Sequence, residues 1–511
     1  MKRPNILLIT TDQHRGDCLG FAGRKVKTPH IDEMARTGTH FTACITPNIV
    51  CQPSRASMLT GLLPLTHGVC DNGIDLDEST GQAGFAGTLA ASGYSTGFIG
   101  KAHFSSHHTF EKTGRPECQF SEADYGADWV GPYMGFEHVE LVVEGHNYWL
   151  PTPLPGGLHH SRWYYGDGLG EMRNQLYQQD LGPASGAPQT FNSALPSAWH
   201  NSTWIGDRTI EFMLRHSTEE SEPFCVWASF PDPHHPFDCP EPWSRLHHPD
   251  EVDLPAHRTT DFERRPWWHK ASMDSKPVGS AAVQALRQNF SRMPMPPDQA
   301  LRNVIANYYG MISMVDHQVG RIKTALQQLG LDDNTIVIFT SDHGEWLGEH
   351  GLMLKGPIPY EGVLRVGMVV GGPQVQAGKV RHEPVSTLDL AATFADYAGA
   401  TALGPMHGRS LRPLLEGGQQ ARDFAQSEWN VAASRCGVEL QLRTVRTKDW
   451  KLTLEQNSGA GEMYNLRDDP TEMDNLFDDP GYAARRKELA DMIASRPADQ
   501  LAQMPVPSGI A

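Results

Sequence analysis

The chain of 511 residues carries 43 lysines and arginines against 60 aspartates and glutamates, a formal charge of −17 with histidine neutral. Holding nucleic acid or another polyanion needs clustered basic groups, and none stand out, so that class of partner is excluded. Apolar runs are strand-sized, far below the roughly 18 residues that span a bilayer, so no membrane segment is expected.

The N-terminal Met1-Lys2-Arg3-Pro4 leads straight into Asn5-Ile6-Leu7-Leu8-Ile9-Thr10-Thr11-Asp12. This run is too short for a secretory h-region, lacks a small-residue cleavage site and ends in an acid, so it reads as a first core strand in a cytoplasmic protein. Further apolar, β-branched runs follow at 98–100, 224–229, 335–340 and 366–370, separated by helical patterns. That alternation predicts a mostly parallel sheet covered by helices, an α/β fold. The clearest helix spans 299–329, with apolar residues from Leu301 to Leu329 at spacings of three and four, Asp298 as its cap and Gly330 as its stop. Residues 105–215 and 231–297 are irregular and rich in aromatics and histidine, a texture that predicts lids roofing a site. Aromatics at 143–205 and 262–270 suggest either a pocket for a ring or sugar, or packing anchors. After about residue 420, alternating runs at 440–445 and 450–454 predict antiparallel strands closed by a helix near 481–495. The domain division expected is therefore 1–420 and 421–511.

The strand ends carry the chemistry, because ligands of open α/β sheets bind beyond them. Strand one ends in Thr11-Asp12-Gln13 and the strand at 335–340 in Ser341-Asp342-His343-Gly344. Two carboxylates, an amide oxygen and an imidazole at one sheet edge suit a divalent cation, although a lone strand-end aspartate is more often a turn or cap. Cys51-Gln52-Pro53-Ser54-Arg55 precedes a short helix expected to begin at the proline or serine. A cysteine there faces backbone N–H groups and the positive end of the helix dipole, which favours an anionic nucleophile. The other seven cysteines (18, 44, 70, 118, 225, 239 and 436) form no CxxC pair and predict no disulfide framework. The pairs His107-His108, His159-His160 and His247-His248 read as solvated or capped loop residues, not as a second metal site.

At this point the sequence resembles the type I sulfatases of the alkaline phosphatase superfamily. The Cys-x-Pro-Ser-Arg stretch at 51–55 is similar to the family signature whose cysteine becomes formylglycine. Gly93 to His103, Pro233-His234-His235-Pro236-Phe237, Ser341 to Gly356 and Met463 to Leu476 resemble further family elements in the same order. The resemblance implies an alkaline-phosphatase-like α/β/α sandwich with a small C-terminal antiparallel subdomain, and hydrolysis of sulfate esters as an arylsulfatase.

By that resemblance, Asp12, Gln13, Asp342, His343 and the modified Cys51 hold one divalent metal. One hydroxyl of the hydrate on residue 51 attacks sulfur, with Asp342 accepting its proton, and the second expels sulfate by reforming the aldehyde. Lys101 and Lys355 stabilise the transferred oxygens, Arg55 holds the hydrate and the helix start, His103 bonds the nucleophile, His234 serves the leaving oxygen, and Asn72 contacts the transferred group. A formylglycine-generating enzyme is implied as a maturation partner, and a homo-oligomer as the assembly.

The departures bear on specificity. Asp12-Gln13 and Asp342-His343 stand where many sulfatases have Asp-Asp and Asp-Asn, and related phosphonate monoester and phosphodiester hydrolases share both pairs. Calcium is the usual ion of sulfatases and manganese the alternative here. The competing readings are a phosphonate monoester or phosphodiester hydrolase, a promiscuous enzyme, and an inactive member that binds anions.

Overall fold

The computed structural model describes residues 3–143, 157–218 and 222–510. Nine strands form its main sheet: β1 (Asn5–Thr11), β2 (Thr39–Ile45), β3 (Ser95–Gly100), β4 (His138–Leu141), β5 (Phe224–Ser229), β6 (Thr335–Ser341), β7 (Arg365–Gly371), β8 (Lys379–Arg381) and β9 (Val385–Ser386). The order is β4-β3-β5-β1-β6-β7-β2-β8, with β9 also beside β2. Parallel pairing links β4, β3, β5, β1 and β6, whereas β7 runs antiparallel to both β6 and β2.

β1 is buried at every position because both faces of the sheet are covered. Its side chains alternate between two cores, as strand geometry requires. Ile6 and Leu8 pack with Met58, Leu59, Phe85 and Phe394 on one face. Leu7 and Ile9 pack with Ile205, Phe212, Val315 and Val319 on the other. The long helix spans Asp298–Gln328, close to the expected bounds. Asp298 does not cap it: Pro297 occupies the cap position, and the Asp298 carboxylate pairs with Arg258 at 2.8 Å. Gly330 lies just beyond the end with φ 67°, a left-handed turn that glycine adopts without strain.

Residues 424–465 build a second, antiparallel sheet of β10 (Phe424–Val431), β11 (Leu440–Thr447), β12 (Trp450–Glu455) and β13 (Gly461–Asn465). The helix Ala483–Ala494 closes it, burying Leu489 against Val445, Leu452 and Met463. The tail then returns to the large sheet's side of the molecule. There Leu501 N–H bonds the Leu65 carbonyl (2.9 Å), Ser508 N–H that of Gly73 (2.8 Å) and Ile510 N–H that of His108 (2.9 Å).

The irregular segments contain short helices, including Trp267–Asp274 and Ala281–Phe290. Several of their aromatics are packing anchors, whereas Phe110, Phe120 and Trp267 are exposed. Trp268 sits in a core with Tyr360 and Tyr464, and Trp163 and Trp204 pack around His160. Residues 144–156 of the aromatic stretch lie outside the described residues. Of these loop histidines His248 is exposed and caps the turn at Pro249–Glu251 as expected, whereas His107, His160 and His247 are buried. Among the described residues, no helix is long and apolar enough to cross a membrane.

Candidate active site

Parallel pairing of Thr11 with Ser341 brings the C-terminal ends of β1 and β6 together, so the residues that follow meet at one sheet edge. Gln13 adopts φ 62°, and its N–H donates to Asp342 Oδ1 (3.1 Å) while its carbonyl accepts from Tyr308 (2.6 Å). These bonds hold a left-handed backbone that a glutamine would not otherwise choose. Donor atoms of Asp12, Cys51, Asp342 and His343, all buried, lie within 4.8 Å of one another. His343 Nδ1 donates to the Gly344 carbonyl at 2.8 Å, which leaves the Nε2 lone pair facing the cluster.

Lys355 shows what this cluster wants. Its Nζ lies 2.9 Å from Gln13 Oε1, 3.1 Å from His343 Nε2 and 3.1 Å from Cys51 Sγ, a positive charge set among acceptors. Burial works against a charged His343, yet Asp342 and Cys51 pull its pKa above the usual imidazole value. Two carboxylates, an amide oxygen and a correctly directed imidazole nitrogen therefore fit a divalent metal.

Cys51 is the first residue of α2 (Cys51–Thr60), ahead of both residues at which the helix was expected to begin. Its Sγ lies 3.2 Å from His343 Nε2 and 3.5 Å from Asp12 Oδ1. Burial opposes ionisation, but Lys355, Lys101 and His343 outweigh it and hold the thiol well below its ordinary pKa. The helix start adds to this field. Four residues on, Arg55 shares the helix face with Cys51 and is wholly buried. Its Nε bonds Asp342 Oδ2 (2.8 Å), Nη2 meets Asp12 Oδ2 (3.4 Å), and Nη1 meets the Lys101 carbonyl (2.6 Å) and Ser229 Oγ (2.7 Å). Arg55 thus clamps the two carboxylates beneath the site.

Above Cys51 opens a cavity lined by Lys101, His103, Asn72, His234 and Lys355 among others. Lys101 Nζ is 2.6 Å from Asp12 Oδ2, which, with His234 and Arg55, keeps the Asp12 carboxyl far below its usual range despite burial. Asp342 goes the other way, raised by burial and by Asp12. Asn72 Oδ1 accepts the Gln52 N–H (3.1 Å), so it also helps to cap α2. His234 Nδ1 approaches the His235 carbonyl (2.5 Å) and its ring stacks on His235, directing Nε2 elsewhere. Burial first, and Lys355 next, hold His234 down to about 3, so the resting imidazole is neutral.

Sequence reasoning missed the supports of this constellation. Glu117 accepts the N–H groups of His103 (2.5 Å), Phe104 (3.0 Å) and Ser105 (3.1 Å), fixing the turn in which His103 takes φ 53°. Glu345 accepts from the Gln13 amide and from Leu347 N–H (3.0 Å). Arg287 and Arg435 also line the cavity. A lone acid or arginine in an irregular segment gives no periodic or motif signal.

The sulfatase family model matches residues 4–400, which includes every one of these metal-site and cavity elements except Arg435. The chain belongs to the sulfatase family. It is a hydrolase of sulfate esters with an α/β fold. A second family model, the C-terminal part of N-sulphoglucosamine sulphohydrolase, matches residues 348–498. An arylsulfatase of Clostridium perfringens is 29% identical, over 94% of this chain and 92% of that protein. An N-acetylglucosamine-6-O-sulfatase of Bacteroides thetaiotaomicron is 25% identical, over 96% of this chain and 86% of its own. The crystal structure of a phosphonate monoester hydrolase of Agrobacterium radiobacter superposes on this sulfatase with a TM-score of 0.77 at 28% identity, covering 98% and 97% of the two chains.

Proposed function

We propose that this sulfatase cleaves aryl-type sulfate esters by covalent transfer to residue 51, after oxidation of Cys51 to formylglycine by a maturation enzyme. The observation that carries the reading is the position of Cys51: the first residue of α2, facing two carboxylates, an imidazole lone pair and two lysines at the floor of a cavity. A divalent cation held by Asp12, Gln13, Asp342 and His343 would supply Lewis-acid charge stabilisation there. The imidazole donor suits manganese better than calcium, whose usual partners are oxygens.

The chain's own groups account for the rest. The hydrated side chain of residue 51 attacks sulfur through one hydroxyl, and Asp342, whose raised pKa makes it the more basic of the two aspartates, takes the proton. Lys101 and Lys355 meet the developing charge on the sulfate oxygens. His234, neutral at rest, gains affinity for a proton when the anionic ester offsets those lysines, and passes that proton to the leaving oxygen. The second hydroxyl then expels sulfate as the aldehyde re-forms, with His103 bonding residue 51.

The phosphonate reading has its own support in the Gln13 and His343 donors and in the 28% identical phosphonate monoester hydrolase. Both transferred groups are tetrahedral anions, so one enzyme handling both is part of the proposal. Mass spectrometry of the residue 51 peptide from active enzyme, with kcat/KM measured on phenyl sulfate and phenyl phenylphosphonate, tests it. Formylglycine and a higher value on the sulfate are expected. Unmodified cysteine in active protein, or full turnover by Cys51→Ala, would sink the nucleophile; a much higher value on the phosphonate would reverse the substrate assignment.

A further inference from the structure

The upper wall of the cavity carries two guanidinium groups that the transfer of sulfate does not use. Arg287 comes from the helix Ala281–Phe290 and Arg435 from the short helix Ala433–Cys436, which pack on each other. Both residues are more than nine-tenths buried, at 6% exposure each. Asp71 is the carboxylate they share, 3.1 Å from Arg435 Nη1. Arg287 donates through Nη2 to the Ile510 carbonyl (2.5 Å), but its Nε has no hydrogen-bond partner among the described residues. Burial, then repulsion from Arg435, lowers the Arg287 pKa to about 9, with Asp71 pulling only partly against them. Among the described residues Arg287 makes no ion pair of its own, a costly state for a buried cation, and Arg287, Arg435 and Asp71 together carry a net positive charge at the cavity wall.

At the reacting end Lys101 and Lys355 line the cavity beside Cys51 and meet the transferred sulfate, which leaves Arg287 and Arg435 for a different group. Leu286 and Phe290 lie on the same helix as Arg287 and line the same cavity, an apolar wall of the size a ring would cover.

We propose that the cavity binds a doubly anionic sulfate ester, with the reacting sulfate at residue 51 and a second oxyanion of the leaving group, a carboxylate or a further sulfate, held by Arg287 and Arg435. This rests on the reading of residue 51 as the reacting end. Arginine suits the task because its planar fork matches a carboxylate or sulfate edge.

The test compares kcat/KM on phenyl sulfate, 3-carboxyphenyl sulfate and 1,3-phenylene disulfate, whose two charged arms separate a carboxylate from a sulfate preference. At least a tenfold advantage for one or both dianions is expected, shrinking to within about twofold in Arg287→Gln and partly kept in Arg287→Lys. Calorimetry on the Cys51→Ala protein adds a readout without turnover: 3-hydroxybenzoate should bind at least tenfold more tightly than phenol, and Arg287→Gln should abolish the difference. Equal values for dianion and monoanion in the unsubstituted enzyme, together with equal binding of 3-hydroxybenzoate and phenol, would overturn the proposal even if Arg287→Gln fails to fold. No turnover of any sulfate ester beside tight, Arg287-dependent binding of 3-hydroxybenzoate would sink the functional reading and leave the anion subsite standing.

Discussion

Arg55 illustrates how much of the site depends on a residue with no access to substrate. It neutralises Asp12 and Asp342 in a fully buried setting and also bonds Ser229 and the Lys101 carbonyl. Removing one partner of a buried ion pair leaves uncompensated charge and typically costs about 3–5 kcal/mol. Arg55→Met is therefore expected to lower unfolding stability by an amount of that order, and a compact Lys at the same place cannot reproduce the fork of contacts. Urea unfolding of both variants checks this; a loss below about 1 kcal/mol would show that the clamp is dispensable. Residue-scale chemistry was legible where a motif ties it to a strand end or helix start, as for Asp12, Asp342, His343 and Cys51. It was not legible for Glu117 and Arg287, which reach the cavity from irregular segments, or for Arg435, which reaches it from the connection between β10 and β11.

The same contrast holds for elements. Strands buried on both faces announce themselves as continuous apolar runs, so β1, β5, β6 and β7 could be read directly, and the long helix by its spacing. β2 could not, since Thr39-His40-Phe41-Thr42-Ala43-Cys44-Ile45 interleaves polar residues, and β8 and β9 are too short for any period to show. Least legible of all was the C-terminal tail, whose contacts are made by backbone. Ser508 and Gly509 N–H groups both bond the Gly73 carbonyl (2.8 and 3.1 Å), and Ile510 bridges to His108 and Arg287. A Cβ at Gly509 would meet the His108 carbonyl at 2.5 Å, and one at Gly73 would meet the Gly509 carbonyl at 2.5 Å. Gly509→Val should therefore lift the tail, release Arg287 from Ile510 and raise KM for 3-carboxyphenyl sulfate several-fold while Tm shifts by no more than a few degrees. Tail release is read by limited proteolysis beside the kinetics. An unchanged KM in a variant whose tail is cleaved faster would separate the strap from substrate binding.

At the scale of the whole molecule, the acidic chain gathers cations at one sheet edge and hides histidines elsewhere, and the histidines set its response to pH. Burial holds His67 and His160 down to about 3 and His159 and His350 to about 4. His67 shows why: its Nδ1 accepts the Val69 N–H at 3.1 Å, a bond that a protonated ring cannot make. A histidine with a lowered folded pKa contributes stability that is complete above the unfolded value near 6.5 and is lost as pH falls toward the folded one. At pH 5 the cost is about 2 kcal/mol for each such group. Asp316 and Glu472 work in the opposite sense, since burial raises both to about 7 and they lose stability as pH rises through that range. On acidification from pH 7 to 5 each returns an amount similar to one histidine, while His14 and His247, also held to about 4 by burial, add to the loss, so the histidines set a fall in stability. Urea midpoints measured at both pH values should fall accordingly, and His67→Gln, whose amide cannot titrate, should lose less than the unsubstituted enzyme by about 2 kcal/mol. Parallel pH dependence in the two proteins would mean that His67 does not stay neutral in the fold.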